Sequence, residues 1–231
     1  MRARGRRRRW LLLAAPGALV LAVALGWGAY AAVTWLAFGR PHAAGADPLL
    51  RRHMPRADIV EVHRARVRAP ASATYAAART VDLHHSPVVH AVFRGRELML
   101  GADAPPRPAA LPLVTELRSL GWGVLEEVPG RQLVLGAATQ PWQAEVVFRA
   151  LPPDAFARFD SAGYVKIVVT LAADSLGPAE SAFRTETWAV ATDPASRERF
   201  RRYWSVFSPG IRLIRSQALA LVRREAERRP E

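Results

Sequence analysis

The side chains able to do acid–base chemistry are few and scattered. Lys166 and Glu186 fall on two late segments that read as neighbouring strands, where they would form either a structural ion pair or an acid–base couple. If buried they must pair, because a lone buried charge is costly or neutralises instead. His84, His85 and His90, with Asp82 nearby, form the one cluster of metal-ligand types. Adjacent histidines diverge on a helix or a strand, and there is no His-x-x-x-His pair, so the cluster reads as a surface loop and no metal is expected. Ser72, Ser86, Ser161 and Ser181 lack a Gly-x-Ser-x-Gly context, and no glycine-rich phosphate loop occurs. Nucleophilic hydrolysis and nucleotide binding are therefore unsupported, and no cofactor is expected. The chain has no cysteine, which excludes disulfides, thiolate metal sites and cysteine nucleophiles.

Charge adds less than its total suggests. The 231 residues carry 33 basic and 20 acidic side chains, a net +13, and Lys166 is the sole lysine. Arg2, Arg4, Arg6, Arg7, Arg8 and Arg9 lie in the first nine residues, and subtracting those six from +13 leaves +7 over the remaining 222. The other arginines are mostly single and dispersed. Neither the basic and aromatic interleaving that holds single strands nor a recognition-helix pattern occurs, so no nucleic-acid partner is expected. With half its residues apolar, the chain suffices for one well-buried domain plus an accessory segment.

That accessory segment is residues 10–38, which hold no charged side chain and place Trp10, Trp27, Tyr30 and Trp35 toward the ends. About 20 such residues cross a bilayer. The segment is expected to be a transmembrane helix, with the lipid bilayer as its partner. The arginine block puts residues 1–9 in the cytoplasm and the bulk of the chain outside it, at the cell membrane. A cleaved secretory signal is the alternative, given Ala44-Gly45-Ala46 and a faint twin-arginine look at Arg7-Arg8-Arg9. The apolar run is about twice the length of a signal's apolar core, which favours a retained anchor. Residues 39–57 read as a short linker.

The remaining elements must position whatever site exists. A strand is expected over 58–67, then short helices near 75–79, 87–99 and 111–120. Strands 123–128 and 131–137 flank Pro129-Gly130, the pair a type II turn requires. Further strands are expected at 145–151, 156–161, 164–172 and 181–191. In the last, Arg184, Glu186 and Trp188 face one way and Thr185, Thr187 and Ala189 the other. Such short connections favour antiparallel pairing. Asp193-Pro194 then starts a helix on which Phe200, Tyr203, Trp204, Phe207, Ile211, Ile214, Ala218, Leu221 and Val222 recur at steps of three and four. Pro209-Gly210 either divides that helix or kinks it.

One strand, small helices, six strands and one long amphipathic helix make an α+β, helix-grip architecture. The expected form is a curved antiparallel sheet of about six to seven strands packed on a long C-terminal helix, behind one N-terminal transmembrane helix. Residues 58–229 resemble the START-like (SRPBCC) superfamily of polyketide cyclases and lipid-transfer domains. The resemblance rests on Val67-Arg68-Ala69-Pro70, Phe159 with Gly163-Tyr164-Val165-Lys166, Thr185-Glu186-Thr187, and Phe200 with Tyr203-Trp204. It implies an apolar cavity between sheet and closing helix that takes a hydrophobic small molecule or lipid. Trp142, Tyr164, Trp188, Trp204 and Phe207 are expected around it, with Lys166 and Glu186 as its polar groups. The alternatives are a membrane-tethered interaction module with a filled core, or a cyclase- or hydratase-like enzyme. The enzyme requires two groups among Lys166, Glu186, His63 and His90 to converge in the cavity.

Overall fold

In the computed structural model, residues 3–40, 47–83, 86–102 and 111–228 are described. His84, His85, the cleavage-like 44–46 and the whole proline-rich loop 104–108 lie outside them. The elements in chain order are α1 (Ala3–Ala37), α2 (Pro48–His53), β1 (Ile59–Val67), α3 (Ala71–Thr80), α4 (Pro87–Leu100), α5 (Leu113–Ser119), β2 (Gly123–Val128), β3 (Gln132–Thr139), β4 (Phe148–Arg149), α6 (Pro153–Arg158), β5 (Val165–Gly177), β6 (Glu180–Ala191) and α7 (Pro194–Arg228).

The six strands form one open antiparallel sheet in the order β1-β6-β5-β3-β2, with β4 also beside β3. The Pro129-Gly130 turn forms as expected, with Gly130 at a φ of 72° and the Arg131 N–H donating to the Val128 carbonyl at 3.0 Å. The front of the sheet carries Phe183, Ile167, Leu171 and Ala173 against α3, α5 and α7. On the back, Trp188, Val168, Val134 and Leu125 pack on Leu50 and Met54 from the α2 segment and on Phe156 of α6. Both faces are thus covered, which is why eight residues of β3 in succession are buried.

Three expectations change here. Residues 156–161 do not form a strand: α6 occupies Pro153–Arg158, opened by Pro152-Pro153 with Asp154 in its first turn, and buries Phe156 completely. Expected strand 145–151 shrinks to Phe148–Arg149, leaving Val147 exposed. The segment 39–57 is also more than a linker. Asp47 accepts a hydrogen bond from the Leu49 N–H and starts α2, whose Leu50 is fully buried.

Helix α7 is continuous through Pro209. Asp193 caps it, accepting from the Ser196 N–H at 2.9 Å and from the Gly163 N–H at 2.7 Å. Those bonds hold its carboxyl far below the usual carboxylate range. Proline has no N–H, so the Ser205 carbonyl loses its helical donor. The Thr34 hydroxyl of α1 lies 3.4 Å from that carbonyl, while also within 3.0 Å of the Tyr30 and Ala31 carbonyls of its own helix. Tyr30 meets the Ser208 hydroxyl at 3.2 Å, Arg201 donates to the Trp35 carbonyl at 2.8 and 3.0 Å while covering the Trp35 ring, and Phe38 packs edge-on against Phe200. The C-terminal end of α1 is therefore bound to α7 along several turns. Its segment Gly17–Ala37 is long and apolar enough to cross a membrane, and almost none of it is buried.

Candidate ligand cavity

Helix α7 stands off the front of the sheet and leaves a cavity of about 760 Å³. That lies within the ~300–1,000 Å³ of ordinary small-molecule sites. Strands β5 and β6 form the floor with Ile167, Val169, Leu171, Phe183, Thr185 and Thr187. Helix α7 forms one wall with Trp204, Phe207, Ile211, Ile214, Arg215 and Ala218, and α4 and α5 form the other with Val88, Val92, Gly95, Leu113 and Leu117. Four lining residues are also exposed and mark the rim: Trp27 of α1, Phe93 and Met99 of α4, and Leu213 of α7. Helix α4 buries Val89 alone, and its Arg96 ties it to the 141–144 segment.

Polar groups are sparse and grouped. Thr187 Oγ1 is buried without a hydrogen-bond partner among the described residues. Beside it, Arg215 donates from Nη1 to Thr185 Oγ1 at 3.3 Å, while its buried Nε has no partner. Burial pulls the Arg215 guanidinium down to about 10, partly opposed by the charge of Glu61. Glu61, on β1 opposite Thr187, is already held by Arg212 at 2.5 to 3.2 Å and by His63 at 3.5 Å. Burial raises its carboxyl, but those partners outweigh burial and hold it below its ordinary value. Near the rim, burial raises the Tyr203 phenol against the opposing charge of Arg96. Arg96 in turn donates to the carbonyls of Pro141, Gln143 and Ala144.

The expected site residues divide. Trp204 and Phe207 line the cavity. Trp142 packs beside the cluster containing Trp204 without lining the cavity. Tyr164 meets Phe159 edge-on at 5.5 Å and lines a separate small cleft with Gln140 and Arg149. Trp188, Lys166 and Glu186 lie on the back of the sheet, because strand alternation puts them opposite the cavity-lining Thr185, Thr187 and Ile167.

Lys166 and Glu186 do not pair. Lys166 sits opposite Val190 and Glu186 next to Thr170, several residues along the ladder. Lys166 Nζ donates to the Phe156 and Ala157 carbonyls at 3.3 and 3.1 Å, and burial lowers it, with Asp160 opposing. Glu186 accepts from Arg184 at 2.8 Å and from the Trp188 indole at 3.1 Å. None of Lys166, Glu186, His63 and His90 lines the cavity, so the convergence required for proton transfer there does not occur.

What the sequence reasoning overlooked is Arg215. It lies four residues after Ile211 and three before Ala218, in the middle of the apolar stripe. A charge at such a position was the available signal.

No family model and no curated protein matches this chain. Among solved structures it is similar to the crystal structure of the Zhui aromatase/cyclase from Streptomyces sp. R1128, at 17% identity over 74% of this chain and 94% of that one, with a TM-score of 0.28.

Proposed function

We propose that the protein is a membrane-anchored binder of an apolar small molecule or lipid, which it encloses between the sheet and α7. The observation that carries this reading is the apolar cavity of about 760 Å³ whose rim includes Trp27 of the apolar helix. A bilayer core takes about 20 residues, so a span starting at Trp10 ends near Ala29. Trp27 and Tyr30 then fall in the outer aromatic belt, and the last eight residues of α1 rise about 12 Å above it. The rim sits at headgroup level, where an amphiphile can pass between bilayer and cavity without crossing water. Enclosure supplies the affinity, at about 0.8 kcal/mol for each methylene buried. Movement of α4 admits the ligand, since the helix buries only Val89 and has the Arg96 bonds to the 141–144 segment to release.

The test is lipid extraction and native mass spectrometry on the full chain, purified in detergent from membranes and compared with Gly95→Trp. Gly95 lines the cavity and a Cβ there meets no atom within 4 Å outside its own helix, so a side chain can start from this position and its indole competes with the ligand for cavity space. An apolar molecule that co-purifies with the parent and is lost in the folded variant is expected. A ligand-free mass for the parent, or retention of the same molecule by the variant, would overturn the reading.

A further inference from the structure

The polar corner of the cavity carries a charge imbalance that an apolar ligand alone does not resolve. Two guanidinium groups, Arg212 and Arg215, face a single carboxylate, Glu61. Arg212 takes both oxygens of that carboxylate, and His63 lies against it as well. Arg215 is left with one threonine hydroxyl at 3.3 Å and, among the described residues, no carboxylate within ion-pair distance. Its Nε and the Thr187 hydroxyl are both buried and both lack partners. A buried donor without an acceptor is penalised, and a buried charge without a counterion more so. Both groups line the cavity, so whatever occupies it can satisfy them.

We propose that the ligand is an acidic amphiphile, an apolar body carrying one carboxylate or phosphate group, and that Arg215, with Thr187 and Thr185, binds that group. The assignment rests on the ligand-binding reading given above. Guanidinium suits this role because its planar fork matches carboxylate and phosphate oxygens. The Thr187 hydroxyl donates to a second oxygen. A neutral alcohol of the same chain fills the apolar part equally well but leaves the cation without a counterion, and a site built to hold a polar group discriminates strongly against the analogue lacking it.

The experiment is a competition on the full chain in detergent, read by native mass spectrometry, with equimolar hexadecanoate, hexadecyl phosphate and hexadecanol. One or both anions are expected to be bound at least tenfold over the alcohol, about 1.4 kcal/mol. Which anion dominates identifies the headgroup. Arg215→Met should bring the ratio close to one while keeping alcohol binding, Arg215→Lys should restore part of the preference, and Thr187→Val should reduce it several-fold. Equal binding of acids and alcohol by the parent, or an unchanged preference in Arg215→Met, overturns the headgroup assignment and leaves the cavity reading standing. Failure to bind any of the three overturns both. If Arg215→Met does not fold, the parent ratio and Thr187→Val decide the matter.

Discussion

Replacing Arg184 by Met tests what fastens α2 to the back of the sheet. The guanidinium donates to Asp47 at 2.7 Å, Glu186 at 2.8 Å and Asp174 at 2.9 Å. The Asp47 and Glu186 side chains are only 2% and 3% exposed, so their charges depend on this one cation. Methionine keeps most of the volume, which makes the cost one of uncompensated charge. Breaking a buried pair from one side costs about 3–5 kcal/mol. With a urea slope of about 2 kcal/mol per molar, the midpoint falls by about 1.5–2.5 M. The indole of Trp188 bonds to Glu186, so its fluorescence reports the transition in the detergent-solubilised full chain.

The pH dependence sharpens this test. In the parent, burial raises the Asp47 carboxyl, but bonds from Arg184, Gln132 and the Leu49 N–H outweigh it and hold the group below its ordinary 3.8. Its contribution is present above that ordinary value and is lost as pH falls through the lowered one. Without Arg184 the burial penalty remains and only the bonds from Gln132 and the Leu49 N–H oppose it, so the Asp47 carboxyl moves up relative to the parent. The variant's deficit is therefore largest near pH 8 and narrows on acidification. A deficit below about 1 kcal/mol, or one independent of pH, would refute the assignment of the cost to buried charge.

Two further outcomes are expected. Glu61 is held below its ordinary 4.5, so its stabilising contribution disappears as pH falls through the lowered value; Glu61→Gln should flatten the loss of stability between about pH 6 and pH 3, measured by urea midpoints, and an unchanged slope would count against the Arg212 and His63 contacts. Because the chain lacks cysteine, a Tyr30→Cys/Ser208→Cys pair can be joined by a short bismaleimide in native membranes. Efficient intramolecular cross-linking is expected, and a yield no higher than that of a pair placed far apart would mean that α1 is not bound to α7.

Where the sequence was legible, a local rule had no competitor. Pro129-Gly130 marks its turn, alternation in 181–191 sorts Arg184, Glu186 and Trp188 from Thr185 and Thr187, and steps of three and four mark α7. Short helices were harder. The run containing Phe156 is too brief for its period to distinguish strand from helix, and the decisive signal was Pro152-Pro153 ahead of Asp154. Alternation also says which residues share a face without saying which face holds the cavity. Trp188 looked like a ligand shelf because tryptophan is large and apolar. It lies instead under α2 and α6, whose coverage of the back sheet follows from tertiary contacts of Leu50, Met54 and Phe156. Arg215 stayed hidden because counting apolar positions along a helix passes over the charged residue among them.

The union of α1 with α7 also limits what the domain can do with a cargo. Helix α1 runs unbroken to Ala37, and two residues later the Gly39 N–H is bonded to the Asp58 carbonyl at the edge of the domain. There is no slack between stem and body. On the proposed function, such a protein cannot ferry its ligand over an aqueous gap as a diffusing carrier does. It searches in two dimensions, loads from its own leaflet, and must hand over to an acceptor that comes to it, either in the same plane or within about a helix turn or two of the surface.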